Sequence, residues 1–207
     1  MTLTLVETAI AFGGEQRKYR HDSAVLQCEM TFSLYLPSNQ AGEKIPLIWW
    51  LSGLTCTDDN FSQKSGFQRL ANHYQVAVMI PDTSPRGKDV PDDEGWDLGQ
   101  GAGFYVNATQ APWGVKAFTT YLGADTNAWK SWDATELIKE TTLLPILITQ
   151  GSKDGFYEKQ LKETTFLKNA EEARNNIQYQ MKEGYDHSYF FISTFLEEHF
   201  AFHLSHL

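Results

Sequence analysis

The sequence predicts an α/β fold with a mostly parallel central sheet. Strand patterns buried on both faces alternate with helical patterns, and a long loop rich in Gly, Pro and Asp follows one of the strands. In "LQCEMTFSLYL" (26–36), Leu26, Cys28, Met30, Phe32, Leu34 and Leu36 alternate with polar or small residues, the period of a half-buried strand. "IPLIWWL" (45–51) is apolar on both parities, which predicts a strand covered on both faces. "VAVMIPD" (76–82) and "PILITQG" (145–151) have the same character and end in turn formers. Phe67, Leu70, Ala71 and Tyr74 fall at helical spacing between the first two of these strands. A further helix is expected over 157–175. Ile177, Tyr179 and Met181 alternate again, and 189–206 reads as a terminal helix with Phe191, Phe195 and Phe202 inward.

At 207 residues the chain is long enough for one sizeable core and short for two domains. Its 42% hydrophobic content and six tryptophans are those of a globular protein. A net charge of −9 gives no electrostatic footprint for nucleic acid, and no run of like charge suits an anionic membrane surface. The first residues lack the basic and long apolar regions of a signal peptide. "IPLIWWL" falls far short of the roughly 20 residues of a membrane helix. Cys28 and Cys56 make no disulfide framework, so the expected compartment is a reducing cytoplasm.

In open α/β sheets, reactive groups gather at the carboxyl ends of strands. "LSGLTCT" after Leu51 has small residues whose backbone N–H groups suit an oxyanion hole. "QGSKDGF" after Ile148 offers Asp154, and "GYDHS" after Met181 offers His187. Acid before histidine, each on a post-strand loop, is the chain order of α/β-hydrolases. Spacing alone leaves open a turn-forming Asp154 and a merely satisfied His187.

Longer strings narrow the choice. "WLSGLTCTDDNF", "PDTSPRG", "VPDDEGWDLGQGAGFYVNATQAPW", "PWGVKAFTTYLG" and "GYDHSYFFISTFLEEH" closely resemble the S-formylglutathione hydrolase (esterase D) family over nearly the whole chain. The resemblance implies an α/β-hydrolase fold of three layers. It also implies cofactor-free hydrolysis of S-formylglutathione to glutathione and formate, in formaldehyde detoxification. By the same resemblance Asp154 is the acid, His187 the general base, and the backbone N–H of Leu54 an oxyanion donor. Cys56 then lies near the active site without being the nucleophile.

One block is missing from the pattern. Members of that family carry a segment of roughly 70 residues, holding the G-x-S-x-G nucleophile elbow, between "NATQAPW" and a second Pro-Trp-Gly. This chain runs "NATQAPWGVKAF" directly, and G-x-S-x-G occurs nowhere in it. Between Ile80 and Pro145 there is no buried-strand pattern and no strand–serine–helix turn. The expectation is one α/β-hydrolase domain, 1–207, internally deleted near Trp113-Gly114, with no nucleophile and hence inactive. The alternatives are a non-catalytic deletion variant or interaction protein, or a weak esterase using Cys56. Ser188 adjoins His187 too closely in sequence to face it, and Ser52 reads as a turn former. "GQGAG" (99–103) lacks the flanking strand and helix of a phosphate loop. His199 and His203, four residues apart, and the acidic "DVPDDEG" (89–95) read as solvated features and not as metal sites. Loss of core strands predicts a weakly stable chain that is aggregation-prone or oligomeric.

Overall fold

The computed structural model describes residues 2–38, 44–88, 90, 92, 94–95, 99–101, 113–161 and 163–207. The chain divides into two units, Met1–Phe104 with Leu207 and Tyr105–His206.

In the first unit, β1 (Leu3–Ala11) and β2 (Gly14–Ser23) form a hairpin through Phe12 and Gly13. Both turn residues take positive φ, +50° and +84°, the primed geometry whose twist matches the strands. β3 (Cys28–Leu36), β4 (Leu47–Trp49) and β5 (Ala77–Pro81) complete a sheet in the order β1-β2-β3-β5-β4. Only β4 and β5 are parallel in it, so the sheet is mixed.

Helices α1 (Asp58–Lys64) and α2 (Phe67–Tyr74) pack on the face of β3 that carries Ser33 and Tyr35. Tyr35 meets the edge of Phe67, Phe67 stacks on Phe61, and Phe61 stacks on Trp50 at 3.7 Å. Beside this aromatic column the buried Asp58 carboxylate accepts from Ser33 Oγ at 2.7 Å and faces Lys18 Nζ at 3.3 Å. A carboxylate so placed needs those partners, because an unpaired buried charge is severely costly. Alternation thus located β3, whose faces are both partly covered: Met30 is buried on the expected parity, and Ser33 and Tyr35 on the other are more deeply buried than Phe32 and Leu34. α2 follows its predicted spacing, with Phe67, Leu70 and Ala71 buried.

The strand expected over 45–51 is corrected more sharply. β4 is three residues long and lies at the sheet edge, where Trp49 is 59% and Leu51 54% exposed. Apolar composition on both parities falls here on a strand at the edge of the sheet among the described residues and not on a covered strand.

The second unit contains helices α3 (Trp113–Leu122), α4 (Thr126–Trp129) and α5 (Ala134–Leu137), with a 3-10 turn over Lys130–Trp132. Asp125 and Asp133 cap α4 and α5 by accepting from the N–H groups of Asn127 and Thr135. Of the expected junction, Trp113-Gly114 opens α3, whereas Pro112 lies outside the described residues. No strand occurs among the described residues between β5 and β6 (Ile146–Gly151). β6 pairs in parallel with β7 (Ile177–Lys182) in a separate two-stranded sheet. The helix expected over 157–175 is divided: a π-helical turn spans Tyr157–Leu161, and α6 spans Glu163–Glu172. α7 (Tyr189–Leu204) buries Leu196, Phe200 and Phe202, while Phe191 and Phe195 are half-buried against Tyr185.

Trp49 stands on an apolar edge that carries no blocking charge, a template for pairing with another chain. Trp49→Lys should lower concentration-dependent light scattering of the purified chain; equal scattering from both proteins would contradict this. On α7, burial and then His203 hold the half-buried His199 below the ordinary histidine range, and partial desolvation and then His206 lower His203, which is exposed and so contributes less. Below about pH 6.5 the unfolded chain binds protons that these native imidazoles refuse, so their stabilisation is present above that pH and is lost as pH falls. The thermal midpoint, followed by circular dichroism, should therefore drop between about pH 7 and about pH 5.5. His199→Gln should flatten that slope.

Candidate active site

β6 and β7 deliver two loops that are sewn together by main-chain hydrogen bonds. Ser152 N–H donates to Lys182 O at 3.0 Å, Lys153 N–H to Tyr185 O at 2.8 Å, and Gly184 N–H to Ser152 Oγ at 2.8 Å. The approach requires glycine at 151, where a Cβ would lie 2.5 Å from the Tyr185 carbonyl oxygen. This closure brings Asp154 and His187 together, with His187 Nδ1 2.8 Å from Asp154 Oδ2. The aspartate is buried, its side chain 6% exposed, whereas the imidazole is 65% exposed.

Two further residues hold the carboxylate. Phe156 N–H donates to Oδ1 at 2.8 Å, and Gln150 Nε2 donates to Oδ2 at 3.2 Å. Burial opposes ionisation of Asp154, yet the Phe156 N–H, then His187 and Gln150, outweigh it and hold the carboxyl below its ordinary range. The Phe156 ring stands edge-on to His187, with centroids 4.9 Å apart. In a neutral imidazole this bonding places the proton on Nδ1. Nε2 then carries a lone pair, and no residue among those described takes it.

In the first unit, Gly53 to Cys56 form a turn closed by Cys56 N–H to Gly53 O at 3.1 Å. Thr55, third in the turn, has φ +66°, a strained setting for a β-branched residue costing on the order of 1–3 kcal/mol. External bonds hold it there. Thr55 N–H donates to Gly101 O at 2.8 Å, and Arg86 Nη2 donates to Cys56 O at 3.1 Å. Arg86 is itself fixed by Nε donating to the buried Asp82 at 2.8 Å, and Gly101 N–H donates to Ser84 Oγ. Leu54 N–H finds no acceptor among the described residues, as an oxyanion donor requires. Cys56 is a half-buried free thiol.

The esterase family model, described as "Putative esterase", matches residues 23–125 and 105–202. An S-formylglutathione hydrolase from Agrobacterium tumefaciens is 32% identical and superposes with a TM-score of 0.89, over 98% of this chain and 99% of that one. The chain belongs to the esterase family, in its S-formylglutathione hydrolase group. At 12% identity, an S-formylglutathione hydrolase from Staphylococcus aureus (TM-score 0.59, 98% and 99% covered) and a ferulic acid esterase (0.62, 93% and 98%) share the α/β-hydrolase fold.

The sequence pointed to Asp154 and His187, and the esterase chain brings these two together. Leu54 and Cys56 belong to the other unit, on the strained turn. Gln150, Phe156 and Arg86 were not foreseen. Gln150 lies near the end of β6, four residues before Asp154 in the loop that follows, and nothing in a lone glutamine signals a carboxylate partner. The remaining hydroxyl candidates are occupied elsewhere. Ser52 is buried and accepts from Trp50 Nε1 at 3.2 Å, and Ser188 Oγ donates to Asp186. His199 Nε2 lies 3.0 Å from Thr149 Oγ1, and among the described residues no group of three metal-ligating side chains converges. Gly101 of "GQGAG" serves the Thr55 turn; residues 102 and 103, like 89, 91 and 93 of the acidic stretch, lie outside the described residues.

A methyl group at position 151 would press against main chain, which cannot rotate away. Gly151→Ala should destabilise the chain by about 1–3 kcal/mol, seen as a lower urea midpoint, and should loosen the His187 loop. An unchanged midpoint would show that the loops do not depend on this contact.

Proposed function

We propose that this chain is a thioesterase of the S-formylglutathione hydrolase type that retains its acid–base pair and lacks its nucleophilic serine. The observation that carries the reading is the Asp154–His187 bond with Nε2 left open, in a sequence without G-x-S-x-G. In the complete reaction, S-formylglutathione and water give glutathione and formate. His187 would take the proton of a serine hydroxyl, Asp154 would hold the imidazole, and Leu54 N–H would bind the developing oxyanion. Without that hydroxyl no serine acyl-enzyme forms. The family match falls into two pieces that meet at 105–125, which supports a single domain, 1–207, interrupted near Trp113-Gly114. The expected substrate is a small-molecule thioester, the setting cytoplasmic formaldehyde detoxification, and no cofactor takes part.

A fluorophosphonate probe should leave every serine of the purified chain unlabelled. Turnover of S-formylglutathione should lie several orders of magnitude below that of the same chain with the missing segment inserted between Trp113 and Gly114. Stoichiometric serine labelling, or equal turnover by the two proteins, would refute the reading.

A further inference from the structure

We propose that His187 itself acts as a nucleophile toward activated acyl groups, giving the chain a slow esterase activity through an acyl-imidazole. The proposal rests on the reading of His187 as the base of a site without serine. An imidazole that has lost its hydroxyl partner keeps the lone pair that would have taken the proton. Here that lone pair is on Nε2, an atom with no partner among the described residues, on a side chain 65% exposed. Histidine is among the side chains that form covalent acyl intermediates, and attack by its neutral ring generates a cationic acyl-imidazolium. In this chain the cation would form 2.8 Å from a carboxylate that is buried, ionised and held by Phe156 N–H and Gln150. The buried side of the ring is thus neutralised while the exposed side reacts.

The step balances without a co-reactant beyond water. The Nε2 lone pair attacks the acyl carbon, the new N–C bond forms, and the C–S or C–O bond breaks. The leaving thiolate or phenolate keeps the bonding pair. The proton on Nδ1 stays in the bond to Asp154, so the acyl-imidazolium is paired with carboxylate. Water then attacks the acyl carbon, one of its protons passes to solvent or to the departed thiolate or phenolate, Nε2 recovers its pair, and the carboxylic acid is released. Good leaving groups are required, which selects thioesters and aryl esters over alkyl esters.

Single-turnover hydrolysis of p-nitrophenyl acetate by the full chain tests this. Nitrophenolate release should precede decay of the N-acylimidazole absorbance, and the release should show a solvent deuterium isotope effect close to one. His187→Gln, with its fold checked by circular dichroism, should abolish the fast release. Asp154→Asn should slow it at least tenfold, and His73→Gln, at an exposed position of α2 in the first unit, should leave it unchanged. Release that survives His187→Gln, or an acyl group found by mass spectrometry on a cysteine or serine, would overturn the proposal. So would a full isotope effect without an acyl-imidazole, since His187 would then be acting only as a base on water. Serine labelling by fluorophosphonate would instead strike at the reading of a missing nucleophile, so the two failures are distinguishable.

Discussion

The second unit depends on how closely one strand end can approach another loop. At Gly151 the main chain of β6 passes against the carbonyls of Tyr185 and Asp186, and the absence of a side chain sets that distance. Everything chemical follows from the approach. Lys153 N–H reaches Tyr185 O, the loop after β7 is pinned, and His187 arrives over Asp154. A histidine with most of its ring in water would ordinarily sample several rotamers. Pinning its backbone and giving Nδ1 a buried acceptor removes most of that freedom before any substrate arrives.

The Gly53–Cys56 turn of the first unit is held in a different way. Its strain sits in Thr55, and the compensation comes from a salt-bridged arginine and a glycine carbonyl in a later loop. The group proposed to bind the oxyanion there, Leu54 N–H, belongs to the backbone and has no side chain to steer it. Orientation therefore has to be imposed on the peptide planes from behind, and charge-assisted bonds to carbonyls are a strong means of doing so.

Much of this was legible because period and turn chemistry are local. β3, β5, β6, β7, α2 and α7 follow from spacing, and the chain order of Asp154 and His187 follows from the ends of their strands. What failed was non-local. Which face of β3 is the more deeply buried depends on where α1 and α2 pack, and the hydroxyl of Ser33 is drawn inward by Asp58, a residue far along the chain. Apolar richness in 45–51 could not distinguish a covered strand from an edge, since hydrophobicity records what a segment can bury and not whether a neighbour is present. The π-helical turn at Tyr157–Leu161 arises where Phe156 turns back to Asp154 and His187, a demand invisible in the helical period.

Arg86 and Gly101 share one small volume. A Cβ at 101 would fall 2.9 Å from Arg86 Nη1, and the backbone there already has φ +85°. A side chain at position 101 would push the end of Arg86 aside and strain a left-handed backbone, and so would loosen the support under Cys56 O. The hold on the Thr55 turn therefore reaches, through one guanidinium, to the smallness of a residue in another loop.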